Sequence, residues 1–266
     1  MAEQHGKGRW ALVLGASSGF GEACVRGFAS AGYNIFGVHM DRRAGLERVK
    51  AVASEIEGQG RSTRFFNMNA ADPEKMAGAL DEMAETLGDG EDVGVLMHSL
   101  AFGSMGPYIP GGDGEPVTPR QMDMTLRVMA HTLVDWSQGL LERDLMGEGG
   151  RIFAMTSSGS NRVIPGYGPV SAAKAALESH CRQLAYELAP QGITVNALRG
   201  GVTDTPALRK IPGSDKLVED ATAKNPSNRL TRPEDVAAAA VALCAPETHW
   251  VTGNVINVDG GEEITG

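Results

Sequence analysis

The sequence predicts an α/β fold, a doubly wound parallel sheet flanked by helices, in a single domain over residues 1–266. Three observations carry this. Short apolar runs alternate with helical patterns four times in the first hundred or so residues, as βα units do. A glycine-rich turn stands between the first run and the first helical pattern. No composition break, internal repeat or low-complexity tail divides the 266 residues, a length that one core can fill.

Bulk properties exclude several classes of function. A formal net charge of -9 provides no overall basic face for nucleic acid. No run of about 18 apolar residues offers a membrane span. The polar start, Met1-Ala2-Glu3-Gln4-His5-Gly6-Lys7, lacks the apolar stretch of a signal peptide. Cys24, Cys181 and Cys244 are scattered and odd in number, which suits buried thiols in a reducing compartment better than disulfides or a metal cluster. The expected location is therefore the cytoplasm, and no metal is expected.

The run at 10–14 is continuously apolar, as a strand covered on both faces is. Gly15, Gly19 and Gly21 follow as Gly-x3-Gly-x-Gly, with Ser17, Ser18 and Phe20 among them. A helical pattern then runs through Ala23, Val25 and Phe28 to a stop at Gly32. Strand, glycine turn and helix together aim backbone N–H groups and a helix N-terminus at a phosphate. In that setting the turn points to dinucleotide binding, although a turn needs glycine even without a ligand.

Residues 34–39 read as the second strand. It ends in His39-Met40-Asp41-Arg42-Arg43, about twenty residues past the glycine turn, where an adenosine ribose would lie. An acid there hydrogen-bonds a free 2′-hydroxyl, whereas cations pair with a 2′-phosphate. Both are present. His39 stands nearest the strand end with Arg42 and Arg43 behind it, which favours NADPH over NADH. The competing reading makes the arginines a solvated helix start.

A helix near 43–57 precedes a third strand at 63–68. Asn69-Ala70-Ala71-Asp72-Pro73 then turns into the next helix, with Asp72 as N-cap and Pro73 at its first position. The fourth strand, 93–98, delivers His98-Ser99-Leu100-Ala101-Phe102-Gly103. Residues 103–118 form a loop rich in glycine and proline, long enough to be a functional edge. A long helix is expected over 119–144.

The fifth strand, 151–156, ends in Thr156 and hands Ser157-Ser158-Gly159 to the carboxyl edge of the sheet, where open α/β sheets bind ligands. The next helix reaches about 188, and strand six is 193–197. An irregular, short-helical stretch spans 199–229. Thr231-Arg-Pro-Glu234 signals a capping box for a helix at 232–244. A last strand at 254–258 leads into Asp259-Gly260-Gly261.

The helix after the fifth strand opens with Gly166-Tyr167-Gly168-Pro169-Val170-Ser171-Ala172-Ala173-Lys174. Tyr167 and Lys174 are separated by almost two turns at ~3.6 residues each, so both can lie on one face. An ammonium beside a phenol favours the phenolate, and the pair could polarise or protonate a carbonyl oxygen. The plain alternative is a surface lysine and a half-buried tyrosine. Pro169 places Tyr167 at or before the helix start.

With the glycine turn, Asn196-Ala197, the Lys174 helix and Val258-Asp259-Gly260-Gly261 in this order, the chain resembles the short-chain dehydrogenase/reductase family over its full length. The resemblance implies a Rossmann sheet, a nicotinamide cofactor and a homotetramer. Ordinary members carry a tyrosine four residues before the lysine. Here that position is Val170, and Tyr167 makes the spacing Tyr-x6-Lys. That spacing is similar to the enoyl-acyl-carrier-protein reductases within the family. So are His98-Ser99-Leu100-Ala101-Phe102 and Arg162-Val163-Ile164-Pro165-Gly166-Tyr167. Gly200-Gly201-Val202-Thr203-Asp204-Thr205-Pro206-Ala207-Leu208 resembles the nicotinamide and substrate loop, especially of the NADPH-using branch. Met129 stands where ordinary ketoreductases have a catalytic asparagine. Two features depart from that branch: Ser157 replaces a second aromatic residue, as in ketoreductases, and the glycine turn is of the ordinary family type.

The resemblance assigns Lys174 to the nicotinamide ribose hydroxyls, with its charge lowering the pKa of Tyr167. It puts Thr203 and Thr205, with Gly201 in the same loop, at the carboxamide, and Asn69 and Ala70 at adenine. Ser99, Leu100 and Ala101 line the cofactor, with Thr156 at the neighbouring strand end. Ser157 either adds a hydrogen bond to the substrate oxygen or is structural. Phe102, with Ala207 and Leu208, could meet an acyl chain, or Phe102 could be core. His98 reads as a packing or supporting residue, and His131 and His180 sit on helices without evident partners.

Residues near 199–230 read as a small helical substrate lid. Arg209, Lys210, Lys216, Lys224, Arg229 and Arg232 gather there, either to meet a phosphopantetheine phosphate, CoA or an acidic carrier, or as a solvated surface. The expected reaction is hydride transfer from NADPH, with NADH possible, to the C2=C3 bond of a 2-enoyl thioester on acyl carrier protein or CoA. Two other readings stay open: an NAD(P)H-dependent ketone or alcohol oxidoreductase, and a non-catalytic dinucleotide-binding sensor.

Overall fold

The computed structural model describes residues 6–111, 114–205, 208–210 and 214–265. Its strands are β1 (Arg9–Leu14), β2 (Asn34–His39), β3 (Thr63–Asn67), β4 (Asp92–His98), β5 (Arg151–Thr156), β6 (Thr194–Gly200) and β7 (Val255–Val258). They form one parallel sheet in the order β3-β2-β1-β4-β5-β6-β7. The order reverses between β1 and β4, and the crevice beyond their carboxyl ends is where such sheets bind ligands.

Two apolar layers hold helices to the sheet. Ala11 and Val13 of β1 face the layer shared with α1 (Gly19–Ser30), α2 (Arg43–Gly58) and α8 (Pro233–Ala242). Trp10, Leu12 and Leu14 face the opposite layer, with α3 (Pro73–Thr86), α5 (Thr132–Leu141) and α6 (Gly168–Leu188). This is the two-residue alternation of a strand buried on both faces. Trp10 stacks on Phe36 with ring centroids 4.1 Å apart. The layered, doubly wound, Rossmann-type arrangement is the one expected from the sequence.

Local expectations meet mixed outcomes. Asp72 caps α3, its carboxylate accepting from the N–H groups of Glu74 and Lys75, with Pro73 first in the helix. The single helix expected over 119–144 is instead α4 (Pro119–Leu126), a π-helical segment (Arg127–His131) and α5, which ends at Leu141. Thr125 and Thr132 donate to the carbonyls of Gln121 and Val128 at 2.7 and 2.8 Å, a side-chain competition that loosens a helical ladder.

The last long helix also begins one residue later than the capping signal implied. Arg232 is at the cap, and Asp235 accepts its backbone N–H at 2.8 Å, while Thr231 is buried without a hydrogen-bond partner. β6 extends to Gly200, past the expected end at 197, which carries the following loop further along the carboxyl edge. The irregular stretch after it contains α7 (Ser214–Lys224).

All three cysteines are buried and unpaired, with each thiol pushed up to about 12, chiefly by burial. Among the described residues no helix is long and apolar enough to cross a membrane.

Candidate active site

The glycine turn is built from backbone packed on backbone. Gly15 and Gly19 adopt φ of +88° and +54°. A Cβ on Gly15 would lie 2.4 Å from the Ser99 carbonyl oxygen, and one on Gly21 would lie 2.0 Å from the Gly15 carbonyl oxygen. Only glycine fits either place. Ser18 is the N-cap of α1, yet its side chain makes no capping bond. The first-turn N–H groups are therefore not satisfied from within the helix, which suits a phosphate.

Ser17, Ser18, Gly19 and Phe20 line a cavity of about 310 Å³ together with Gly15. Its other walls are Asn69 and Ala70 after β3, Ser99 to Phe102 after β4, and Thr205. A dinucleotide fits this donor set: an open helix N-terminus at one side, polar loop backbone along the floor, and an apolar slot beside Ala70. Gly21 is not on the wall. It supports the turn from behind.

At the end of β2 the structure narrows the expectation. His39 is buried and lines the cavity, and its Nδ1 lies 2.9 Å from an Asp41 carboxylate oxygen. Asn67 fixes that strand end by accepting the Asp41 N–H and donating to the Asp41 carbonyl, each at 3.0 Å. Arg42 and Arg43 are exposed and outside the cavity wall, because they are the cap and first residue of α2. Of the three expected groups, only His39 is on the wall.

Tyr167 occupies the N-cap of α6, with Pro169 in the first turn, as its sequence position implied. Lys174 is 5% exposed, and its Nζ donates to the carbonyls of Met155 at 2.7 Å and Leu100 at 3.4 Å. An ammonium has three N–H groups, so one more bond can be made. Burial lowers its pKa to about 8, against the upward pull of Cys181 and Glu178.

Burial raises the Tyr167 pKa, and a side-chain hydrogen bond with Ser157 pulls it down; Lys174 is not among these influences. Ser157 Oγ also accepts the Gly159 N–H at 3.2 Å, capping the turn Ser158–Ser160. A Cβ on Gly159 would lie 2.9 Å from the Tyr167 ring, so the ring packs flush on that turn.

Beside the phenol the wall is apolar. Val170, Met129 and Ala173 form a buried cluster with Met105, Leu126 and Tyr167 packed against it. Gly103 lets the chain pass: a Cβ there would meet Met129 Sδ at 2.9 Å and Val170 Cγ2 at 3.3 Å. The loop after β4 is stapled to the tyrosine turn, the Gly106 N–H donating to the Gly166 carbonyl at 2.8 Å. Tyr108 lies on Gly168, where a Cβ would be 2.6 Å from its ring. Phe102 is 54% exposed and lines the cavity, which settles it as wall and not core. The sequence reading missed Tyr108; an aromatic in a glycine-rich edge loop was the available signal.

The remaining expected positions divide. Thr205 is on the cavity wall and its Oγ1 accepts the Leu208 N–H at 3.2 Å. Thr203 is buried and its Oγ1 donates to the Gly201 carbonyl at 2.9 Å. Thr156 turns its hydroxyl to Glu178, at 2.7 Å, and away from the cavity. Leu208 is half-buried at the start of a short turn, and Ala207 lies outside the described residues.

Among the lid cations, Arg209 pairs with Asp204 and Asp215, and Arg229 with Asp235, so the charges of these two are compensated locally. His98 is fully buried, pushed down to about 3 by burial and then by Lys174, and shares a hydrogen bond with Thr132 Oγ1 at 2.8 Å. His131 and His180 are partners for each other, Nδ1 to Nε2 at 3.0 Å.

Known proteins place this architecture. A family model described as Enoyl-(Acyl carrier protein) reductase matches residues 15–263. The enoyl-acyl-carrier-protein reductase (NADH) FabI of Aquifex aeolicus is 33% identical over 173 residues, covering 65% of this chain and 63% of that protein. A chloroplastic NADPH-dependent aldehyde reductase-like protein of Arabidopsis thaliana is 31% identical over 262 residues, covering 96% of this chain and 94% of that one. The crystal structure of the Aquifex aeolicus enoyl reductase superposes with a TM-score of 0.85 at 26% identity over 98% of both chains. A short-chain dehydrogenase of Burkholderia cenocepacia in complex with NADP superposes at 0.82, with 29% identity over 97% of this chain and 98% of that one. The chain belongs to the short-chain dehydrogenase/reductase family of nicotinamide-dinucleotide oxidoreductases, in the group described by the enoyl-(acyl carrier protein) reductase model.

Proposed function

We propose that the protein reduces the C2=C3 double bond of a 2-enoyl thioester, carried on acyl carrier protein or CoA, with NADPH as reductant. One observation carries this reading. Val170 and Met129 fill with buried apolar side chains the two positions at which ordinary ketoreductases hold tyrosine and asparagine, while the phenol sits one turn earlier at Tyr167. Setting the donor back suits a substrate whose oxygen lies away from the carbon that accepts hydride.

A bound reduced nicotinamide would supply that hydride to C3, and C2 would then take up a proton from water. The protein's own groups bind, orient and stabilise the enolate between the two. Tyr167 is kept protonated by its burial and donates a hydrogen bond to the thioester oxygen as enolate charge develops there. A side-chain hydrogen bond with Ser157 pulls the phenol's pKa down against its burial, which eases donation to the substrate oxygen. Lys174 holds the ribose of the nicotinamide half with its remaining N–H. Thr203 and Thr205 shape the carboxamide end, and Phe102, Tyr108 and Leu208 offer apolar surface to the acyl chain.

His39 supports the choice of NADPH: it presents an imidazole at the ribose end of the cavity and holds Asp41, whose carboxylate is off the wall. The family resemblance further suggests a cytoplasmic homotetramer in fatty-acid synthesis. A second reading, ketone or aldehyde reduction, draws on the Ser157–Tyr167 hydrogen bond and on the match to the aldehyde reductase-like relative over 96% of the chain.

Purified protein with NADPH or NADH is assayed in turn with crotonyl- and acetoacetyl-thioesters. Crotonyl-dependent oxidation of NADPH is expected. Oxidation with the ketone alone would replace the enoyl reading with the second one, and tight cofactor binding with neither turnover would favour a sensor.

A further inference from the structure

Behind the Ser157 turn lies a charged pair with no part in the chemistry above. Glu178 stands on α6 four residues beyond Lys174, one turn away on the same face, and is buried. Its Oε1 accepts from Thr156 Oγ1 at 2.7 Å, at the end of β5, and from Arg199 Nη2 at 3.2 Å, on β6. The same Nη2 donates to Ser160 Oγ at 3.1 Å, the last residue of the turn that follows Ser157. Arg199 Nη1 lies 3.7 Å from Glu263 Oε1, while its Nε is buried without a partner.

A buried ion pair is a costly way to fill space, since apolar residues of similar volume are often as stable or more so. An orphaned N–H adds to that cost. What the pair does provide is a tie among three pieces: the end of β5, the turn carrying Ser157, and the helix carrying Lys174.

We propose that Glu178 and Arg199 form a positioning unit that holds the Ser157 turn and the Lys174 helix in register for reaction at Tyr167. The proposal rests on Tyr167 and Lys174 being the reaction centre, whichever substrate is reduced.

Two consequences differ in sign. Glu178 helps Lys174 keep its proton, so neutralising Glu178 makes the lysine lose it at lower pH. Removing Arg199 leaves the Glu178 charge uncompensated, and Lys174 then keeps its proton to higher pH. The other ionisable groups around Lys174 are His98 from β4, Cys181 on α6 and Tyr167 at the helix start. Burial drives the first far down and the other two up, so none of them titrates near neutral pH.

The test is the pH profile of kcat, on whichever thioester is turned over, for Glu178→Gln, Arg199→Met and the double variant Glu178→Met/Arg199→Met. Thermal melting checks the fold, and fluorescence of bound NADPH is titrated over the same pH range. The alkaline limb is expected to move about one pH unit down in Glu178→Gln and by a similar amount up in Arg199→Met. The double variant removes both buried charges and leaves Glu263 paired with Arg162; it is expected to melt near the parent and to lose about tenfold in kcat with little change in KM. If Arg199→Met does not fold, Glu178→Gln and the double variant decide. Limbs that stay in place or move together, with parental kcat in the double variant, would overturn the proposal. Should neither thioester react, the substrate readings fail separately, and NADPH binding must still show the two opposite shifts for this proposal to stand.

Discussion

Val170 and Met129 meet in one buried apolar cluster whose outer edge is the Tyr167 ring. Both positions would hold polar catalytic side chains in an ordinary ketoreductase, as the resemblance has it. Their joint replacement by hydrocarbon and thioether leaves Tyr167 as the phenol at the edge of that cluster, and the account of specificity turns on this relationship.

Val170→Thr tests whether that wall is structural. The hydroxyl would enter a cluster with no evident acceptor, at a cost of about 1–3 kcal/mol in stability. Denaturant unfolding should show that loss, while kcat on the enoyl thioester changes less than about threefold.

Tyr167→Phe removes the proposed donor and leaves the ring that packs on Gly159. We expect kcat to fall about 10²- to 10³-fold, with NADPH affinity within about twofold of the parent. Unchanged turnover in steady-state assays would remove Tyr167 from the chemistry.

Lys174 gives a prediction with a defined sign. Its folded pKa of about 8 lies below the ordinary 10.5, so between these values the unfolded chain binds more protons and this group's contribution to stability rises with pH. Below that window the buried ammonium is a liability. Lys174→Met should therefore melt higher than the parent at pH 7 while losing turnover, a trade between stability and function. In the parent, activity that depends on the protonated lysine should decline as pH rises through about 8. A flat alkaline profile would contradict the role.

The proposed preference for NADPH rests on His39. His39→Gln should weaken NADPH by about tenfold relative to NADH, whereas Arg43→Ala should change the ratio little. Fluorescence titration with both cofactors measures each ratio directly.

The strands, their parallel doubly wound arrangement and the glycine turn were legible because apolar runs, glycine spacing and the Asp72-Pro73 cap are local signals. Tyr167 at the helix start was legible for the same reason, through Pro169. The break in the long helix at Arg127–His131 was not, because it depends on Thr125 and Thr132 turning their hydroxyls back to the backbone. Arg42 and Arg43 stand exposed at the start of α2, so their side-chain reach toward the cavity depends on a bound partner that the sequence pattern does not describe. The Glu178–Arg199 pair and the His131–His180 pair join residues 21 and 49 positions apart, and such pairing needs the fold. An acid on the buried face of the Lys174 helix was nevertheless a signal open to a reader of the sequence.

The most direct measurement is NADPH oxidation by the purified protein with crotonyl-thioester set against acetoacetyl-thioester. The account predicts a kcat/KM for the enoyl substrate at least about a hundredfold above that for the ketone, a difference of about 2.7 kcal/mol in transition-state stabilisation. Equal rates, or preference for the ketone, would contradict it.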